Sequence, residues 1–429
     1  MAILNAMYSG VSGLTAEGDA LGVIGDNLAN SNTVGFKESR AIFDDVLGSA
    51  VGTEGGIGSG VRMTQAQQIF AEGSMLNTGQ PTDVAISGDG FFVVNGSVSG
   101  VNGDFYTRAG QTSLNSNGTL VNPDGLAFQG YAAKPDGTFS STLGPIQVNT
   151  AALTPKMTTT LNVTANLDAT QTTPAAAWDP QNPGSTSNFS TSMQVYDSLG
   201  NPHSVDVYFR ETGAGTWDYH ALANGSEVQG GTAGQNSEIA TGTLSFNTSG
   251  ALQSNTLTGG GTVNFNGASS NQPLAFNFGT PIASGGTGLD GTTQFGSPSN
   301  VAAQSQDGYA SGALSGIKID GNGVVDGIYT NGQTIAVGKL AVAKFASNTG
   351  LGRAGQNLWT ATQDSGVAAL GQAGAGGRGA LVTGSLEGSN VDIATQFVDL
   401  IAHQRSFQAD SKTITTADQM LQDVVNMKQ

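Results

Sequence analysis

The sequence predicts an α+β multidomain protein, with helices at both ends of the chain paired as a coiled coil and β-rich domains between them. Its 429 residues exceed the length at which a single core usually stops growing. The C-terminal part of the chain lacks helix-breaking residues, whereas the middle holds most of the 64 glycines. With 38% hydrophobic and 11% charged residues, the chain has enough apolar side chains to build several cores.

The C-terminal segment is predicted to form one long helix. No Gly or Pro occurs between Gly388 and the end of the chain, a stretch of 41 residues. Residues 389–392, Ser-Asn-Val-Asp, have the form of a capping box, which places the start of the helix there. Apolar residues then recur at every seventh position. These residues are Ile393, Leu400, Phe407, Ile414 and Leu421.

The N-terminal segment carries a matching pattern, in Met7, Leu14, Leu21 and Leu28. Five glycines interrupt it, and each costs about 1 kcal/mol of helix stability relative to Ala. A helix this weak requires a partner. On periodicity alone, a coiled coil and two core helices of a globular domain are equally good interpretations. The longer C-terminal repeat favours the coiled coil.

The middle of the chain is predicted to consist of β-strands in sandwich- or barrel-like domains. Residues 83–94 read as strand, turn and strand, and residues 193–196, 205–209 and 335–345 have similar alternation. Asn-Gly and Asp-Gly pairs follow at short intervals, as between hairpin strands. Residues 146–185 and 221–300 are rich in Thr, Ser, Asn and Gly, which is typical of disorder or of loops on an outward-facing β-domain. The strand pattern of residues 192–210 between them favours the folded alternative.

Composition and motifs argue against several classes of function. A net charge of −17 with only 15 basic residues excludes a nucleic-acid surface, and the absence of Cys excludes thiolate sites. The G-x-G-x-x-G match at residues 374–379 lacks a strand–turn–helix context. His203, His220 and His403 have no partners at metal-ligand spacing. We therefore expect no enzyme, metal or cofactor. Without a signal peptide or an apolar span, the residues alone would place the protein in the cytoplasm.

Several segments at and near the two ends of the chain have a recognisable pattern. They are S-G-V-S-G-L at residues 9–14, I-G-D-N-L-A-N-S-N-T-V-G-F-K at 24–37, D-V-A-I-S-G-D-G-F-F at 83–92, L-E-G-S-N-V-D at 386–392, Q-R-S-F-Q-A at 404–409 and D-Q-M-L at 418–421. These segments resemble those of flagellar axial proteins of the rod and hook. Within this superfamily, V-Y-D-S-L-G-N-P-H at residues 195–203 is similar to the outer domain of flagellar hook proteins. A distal rod protein and a secreted β-rich adhesin are the alternatives.

The resemblance implies nested domains and a structural role. The implied pieces are an inner helical tube of residues 1–30 with 390–429, a connecting segment of 31–71 with 355–389, an inner β-domain of 72–145 with 301–354, and an outer β-domain of 146–300. Such subunits form a hollow curved tube, a universal joint that passes motor torque to the filament. The heptad residues listed above are then the candidates for subunit assembly.

The resemblance also implies partners and an extracellular location. Export would use the flagellar type III apparatus without a cleaved signal peptide. Phe43 and Leu47 are candidates for a contact with the export gate, although an apolar pair four residues apart is also typical of ordinary packing. The implied partners are further hook subunits, the distal rod, the hook cap, the hook–filament junction protein and the export apparatus, with no nucleic acid and no membrane insertion.

Overall fold

The computed structural model describes residues 2–47 and 58–426 of a β-rich protein whose two terminal helices pack against each other. The chain divides into two compact units. The terminal unit contains residues 1–150, 316–328 and 334–429, and the middle unit contains residues 151–315 and 329–333. Each unit has its own core, so the expectation of several β-rich domains with helical ends is confirmed.

In the part of the chain that the structure describes, the first half of the terminal unit contains one helix and ten strands. Helix α1 (Ala2–Ala29) leads into the hairpin β1–β2, a separate two-stranded antiparallel sheet. The strands are β1 (Ser39–Leu47), β2 (Gly58–Gln68), β3 (Met75–Asn77), β4 (Val84–Ser87), β5 (Phe91–Val98), β6 (Val101–Thr107), β7 (Ser113–Leu114), β8 (Leu120–Val121), β9 (Ala127–Ala133) and β10 (Phe139–Pro145). Residues 83–94 thus form strand, turn and strand, as predicted.

The middle unit packs two sheets around one core. Its elements are β11 (Thr160–Asp168), α2 (Pro183–Thr186), β12 (Phe189–Tyr196), β13 (Pro202–Gly213), β14 (Thr216–Asn224), β15 (Asn236–Phe246), β16 (Leu252–Gly260), β17 (Thr262–Val263), β18 (Gln272–Pro273), β19 (Ala275–Asn277), β20 (Thr293–Phe295) and β21 (Asn300–Gln306). Strands β12 to β16 form an antiparallel sheet in chain order, while β11 pairs with β19, β20 and β21.

Alternation along the strands explains this packing. In β13, Val205, Val207 and Phe209 are fully buried, whereas the residues between them are partly exposed. Successive side chains of a strand point to opposite faces, so one face of each sheet is apolar. Leu161 and Leu167 of β11 join the same buried cluster as the β13 residues. Two sheets therefore share one core, which is the packing of a sandwich.

The second half of the terminal unit completes its sheets and ends in a long helix. Its elements are β22 (Leu314–Ile319), β23 (Val324–Tyr329), β24 (Thr334–Leu340), β25 (Val342–Lys344), β26 (Gly352–Gly355), β27 (Leu358–Thr360), β28 (Ala369–Gly371), β29 (Ala380–Thr383), β30 (Ser385–Glu387) and α3 (Ile393–Asn426). Late strands pair with early ones, because β29 lies against β4 and β30 against β3. The terminal unit is thus closed by residues that are far apart in sequence.

Helix α3 begins later than the predicted capping box. The residue that caps it is Asp392, whose Oδ1 accepts from the backbone N–H of Ala394 at 2.9 Å. Asn390 is held elsewhere, because its Nδ2 donates to the Ile69 carbonyl at 2.8 Å and its Oδ1 accepts from Glu38 N at 2.7 Å. These bonds keep residues 389–391 as a link between β30 and the helix.

Candidate assembly site

Helices α1 and α3 lie antiparallel along their lengths. The facing pairs, from the start of α1 to its end, are Gly10–Ile414, Gly13–Asp410, Glu17–His403 and Asn27–Gln396. As the residue numbers rise along α1, the numbers of the facing residues on α3 fall, so the two helices run in opposite directions. The two terminal segments therefore form a single structural element.

The contact line between the helices, here called the seam, consists mainly of small and polar residues. The α3 residues on it are seven apart, namely Gln396, His403, Asp410 and Ala417. The buried residues of α1 are Gly10, Gly13, Ala16, Ala20, Ile24 and Asn27. Glycine at the seam lets the two backbones approach closely. Gly10 and Gly13, which weaken α1 as an isolated helix, are thus residues at which α1 contacts α3.

The predicted heptad residues flank the seam. Ile393 is 44% exposed, and the others are half-buried. The half-buried ones are Met7, Leu14, Leu21, Leu28, Leu400, Phe407, Ile414 and Leu421. Only the apolar positions were counted in that prediction, so the polar residues at the same spacing on α3 were missed. The seven-residue recurrence of Gln396, His403 and Asp410 was the signal that could have found them.

A buried polar network joins the helix pair to the first hairpin. Asn27 is 1% exposed, and its Nδ2 donates to the Ser39 carbonyl at 2.7 Å and to Gln396 Oε1 at 3.0 Å. Its Oδ1 accepts from Ser39 N at 2.9 Å. Gln396 Nε2 in turn donates to Glu38 Oε1 at 2.9 Å. Because a buried amide must find these partners, the network specifies one register of α1 against α3 and β1.

Two carboxylates at or beside the seam are less favourable in their charged form there than in water. Burial, with the nearby Glu17, raises the pKa of Asp410. Burial also raises the pKa of Glu38, and the neighbouring Asp399 and Asp392 add to that effect against the hydrogen bond from Gln396. Glu17 also contacts α3 directly, because its Oε2 lies 2.5 Å from His403 Nδ1.

The β1–β2 hairpin packs against both helices. Gly60 of β2, at φ 109°, lies so close to Ser12 that a Cβ would overlap the Ser12 hydroxyl, and Val61 N donates to Ser12 Oγ at 3.2 Å. Phe43 of β1 has its ring centroid 6.3 Å from that of His403 on α3. The side chain of Leu47, the second candidate for an export contact, lies outside the described residues.

The side of α3 that faces away from α1 exposes large apolar residues in its first turns. Phe397 is 48% exposed, Val398 66% and Ile401 50%. Together with Ile393 they form a patch at helical spacing, here called the α3 patch. Further along the same side, Gln404, Gln408 and Lys412 are exposed and polar. The exposed large apolar residues of α3 thus fall into this patch near its start and a second pair, Met420 and Val425, near its end.

Substitution of the seam glycines is expected to separate the helices. A Cβ at Gly10 would lie 3.0 Å from Ile414 Cγ1, and one at Gly13 would lie 2.5 Å from an Asp410 carboxylate oxygen. Gly10→Leu with Gly13→Leu should destabilise α1 by about 1–3 kcal/mol through overpacking. Hydrogen exchange of α1 amides in the monomer measures this.

The matched control for this experiment lies on the same helix. Gly18 and Gly22 have no atom within 4 Å of an added Cβ. Gly18→Leu with Gly22→Leu gains the same helix propensity without touching the seam, so it should slow exchange. If both double variants shifted exchange in the same direction, the seam would not hold the helices together.

Other kinds of site find little support. Within residues 2–47 and 58–426, no group of three or more His, Asp or Glu side chains is placed to hold a metal ion. Over the same residues, no helix combines the length and the apolar character that crossing a bilayer requires.

Four family models match separate parts of this chain. The models are "Flagella basal body rod protein" at residues 7–37, "Flagellar hook protein FlgE/F/G D1 domain" at 85–166, "Flagellar basal body protein FlaE D2 domain" at 166–309 and "Flagellar basal body rod FlgEFG protein C-terminal" at 382–427. The first and last of these models cover parts of α1 and α3.

Full-length relatives are similar to this chain from end to end. The flagellar hook protein FlgE of Salmonella typhimurium is 37% identical over 97% of this chain and 98% of its own length. The flagellar hook protein FlgE of Treponema pallidum is 33% identical over 99% and 100%. A crystal structure of Helicobacter pylori flagellar hook protein FlgE2 matches 72% of this chain and 98% of its own, with 15% identity and a TM-score of 0.49.

Proposed function

The chain belongs to the flagellar hook protein family, and we propose that its paired terminal helices build a hollow, curved helical tube that works as a universal joint between motor and filament. The protein is a structural subunit of the flagellar hook, in a polymer of such subunits. Similarity to hook proteins over the full length carries this conclusion. The same similarity disfavours a distal rod protein or an adhesin.

The terminal helices are the proposed assembly element. In the proposed arrangement they pair as a coiled coil and line the inner tube, as residues 1–30 with 390–429. Around this tube would lie residues 31–71 with 355–389, then 72–145 with 301–354, and outermost 146–300. The seven-residue spacing of the α3 seam and the antiparallel helix pairs support the coiled coil.

The α3 patch is the surface proposed to contact the next subunit. Burying a large apolar side chain contributes about 1.5–3 kcal/mol, and each patch residue is about half exposed in the single chain. Contacts between one subunit's patch and a different surface of the next do not close on themselves, so they generate a helical polymer. The heptad residues that flank the seam can bury their remaining surface in the same way.

Export is proposed to use the type III apparatus without a cleaved signal peptide, with the distal rod, hook cap and hook–filament junction protein as further partners. Phe43 and Leu47 are the proposed contacts with the export gate. In the folded chain Phe43 packs near His403, so such a contact would precede docking of α3. An unfolded chain passing through a channel must keep its helices apart, which is easier for a seam made largely of glycine, small and polar residues.

Loss of the α3 patch is expected to impair polymerisation without unfolding the subunit. Phe397→Ser with Ile401→Ser removes two half-exposed apolar side chains from the proposed contact. The concentration at which polymers form should rise about tenfold or more. Sedimentation and electron microscopy measure it, with circular dichroism as a check on the fold.

Exposed polar residues on the same side of α3 provide the control. Gln404→Ser with Gln408→Ser changes similar surface without apolar loss, and should assemble as the native chain does. Equal assembly by the patch variant would remove the patch from the proposed contact.

A further inference from the structure

The Glu387 carboxylate lies buried between two cations from distant parts of the chain. Lys37 Nζ is 2.5 Å from Oε1, and Arg108 Nη1 is 3.2 Å from Oε2. The three side chains are 0%, 2% and 0% exposed for Lys37, Arg108 and Glu387. We call this group the ionic centre. It joins the segment after α1, the end of β6 and the end of β30.

Backbone groups complete the ionic centre. Lys37 Nζ also donates to the Ala71 carbonyl at 2.6 Å, and Arg108 Nη2 donates to the Gly88 carbonyl at 2.8 Å. Gly73 N donates to Glu387 Oε1 at 3.0 Å. Carbonyl oxygens can satisfy hydrogen bonds, but they carry no compensating full charge. Glu387 is therefore the anion that balances these two cations.

Burial acts strongly on the lysine. It lowers the pKa of Lys37, and the Coulomb attraction and hydrogen bond of Glu387 act against that effect. Without the Glu387 carboxylate, only backbone carbonyls and the weaker Coulomb attraction of Glu72 would oppose the cost of removing both cations from water. Arg108 Nε, which is buried and has no hydrogen-bond partner among the described residues, adds to that cost.

The three residues of the ionic centre are synthesised at very different times. Glu387 follows Lys37 by 350 residues and Arg108 by 279. A ribosome makes the chain from its N-terminus, so both cations and the complete β5–β6 hairpin exist long before the carboxylate. Hairpins of this kind would otherwise fold early, because their contacts are local.

We propose that Glu387 is a folding checkpoint: the terminal unit closes only when the end of the chain brings this carboxylate between Lys37 and Arg108. The checkpoint keeps the β5–β6 region open in an incomplete chain. It concerns the order of folding and holds whether or not the α3 patch and the export contact act as proposed.

The first test measures the charge balance in the full chain. Glu387→Gln keeps the shape but leaves two buried cations, so native-state hydrogen exchange of β5 and β6 amides should speed up about 10²–10³-fold. Amides of β13 to β15 in the middle unit serve as an internal reference. Asp89→Asn removes a carboxylate from the exposed pair with Lys344 and should change nothing.

A second pair of variants separates charge from shape and keeps the test informative if Glu387→Gln fails to fold. Lys37→Met leaves one cation and one anion, so the loss of protection should be much smaller. Lys37→Met combined with Glu387→Gln should recover part of the loss seen with Glu387→Gln alone. Equal damage from Lys37→Met and Glu387→Gln would overturn the proposal.

The second test follows the order of folding in the native sequence. In pulse-labelling hydrogen exchange during refolding of the full chain, β5 and β6 amides should gain protection together with residues 380–387. These strands do not pair with one another, so shared hydrogen bonds do not impose that result. Protection of β5–β6 in an earlier phase would overturn the checkpoint.

Discussion

A chain cut back to residues 31–389 is expected to stay folded and to lose polymerisation entirely. This truncation removes α1 and α3 but keeps the ionic centre, the β3–β30 and β4–β29 pairs and both cores. If the terminal helices supply the assembly contacts, nothing in the remainder can replace them. Sedimentation and electron microscopy should find monomers at concentrations where the full chain forms tubes.

Truncation of one end at a time tests whether the two helices act as a pair. Removing residues 1–30 alone leaves α3 without its seam partner, and removing 390–429 alone leaves a glycine-rich α1 that is unstable by itself. Each should abolish assembly as completely as the double truncation, because the helices act as a pair. Tubes formed by any of the three truncated chains would contradict the assigned role of the helix pair. Hydrogen exchange of β13 to β15 checks that the middle unit stays folded.

Patterns with a short period predicted the fold well. The absence of Gly and Pro after Gly388 predicted a long helix, and alternation in residues 205–209 predicted a strand with one buried face. Both signals are local, because helix and strand formation depend on neighbours within a few residues. No local sequence pattern predicts the pairing of residues 84–87 with 380–383, which only the structure reveals.

The seam between the helices was harder to predict because most of its residues are small or polar. Gly10 and Gly13 look like defects of a helix, and the sequence leaves His403 open as either a helix–helix contact or a solvated residue. Their role depends on the distance between two backbones, which a single sequence does not encode. Glu387 is similar, since nothing near it in sequence indicates that Lys37 and Arg108 will meet it.

Excision of residues 157–308 is expected to yield subunits that still polymerise but form tubes without the curvature of native hooks. The cut can be placed accurately, because Lys156 and Tyr309 face each other and exchange two hydrogen bonds, N to O at 3.0 and 2.9 Å. A two-residue Asn-Gly turn joins such a pair in an ordinary hairpin. The terminal unit, with both helices, is left intact by this design.

The physical reason for the expected change lies in the surface that is removed. A joint that bends while it rotates must lengthen and shorten each row of subunits in every turn, so contacts between the removed parts must slide. Side chains of Ser, Thr and Asn are frequent at the exposed positions there, as at Ser190 and Ser192 of β12, and weak polar contacts can be remade without stripping large apolar areas. Electron microscopy of the polymers measures their curvature. Tubes as curved as those of the full chain would show that the terminal unit alone sets the shape, and hydrogen exchange of β5 and β6 would confirm that this unit had folded.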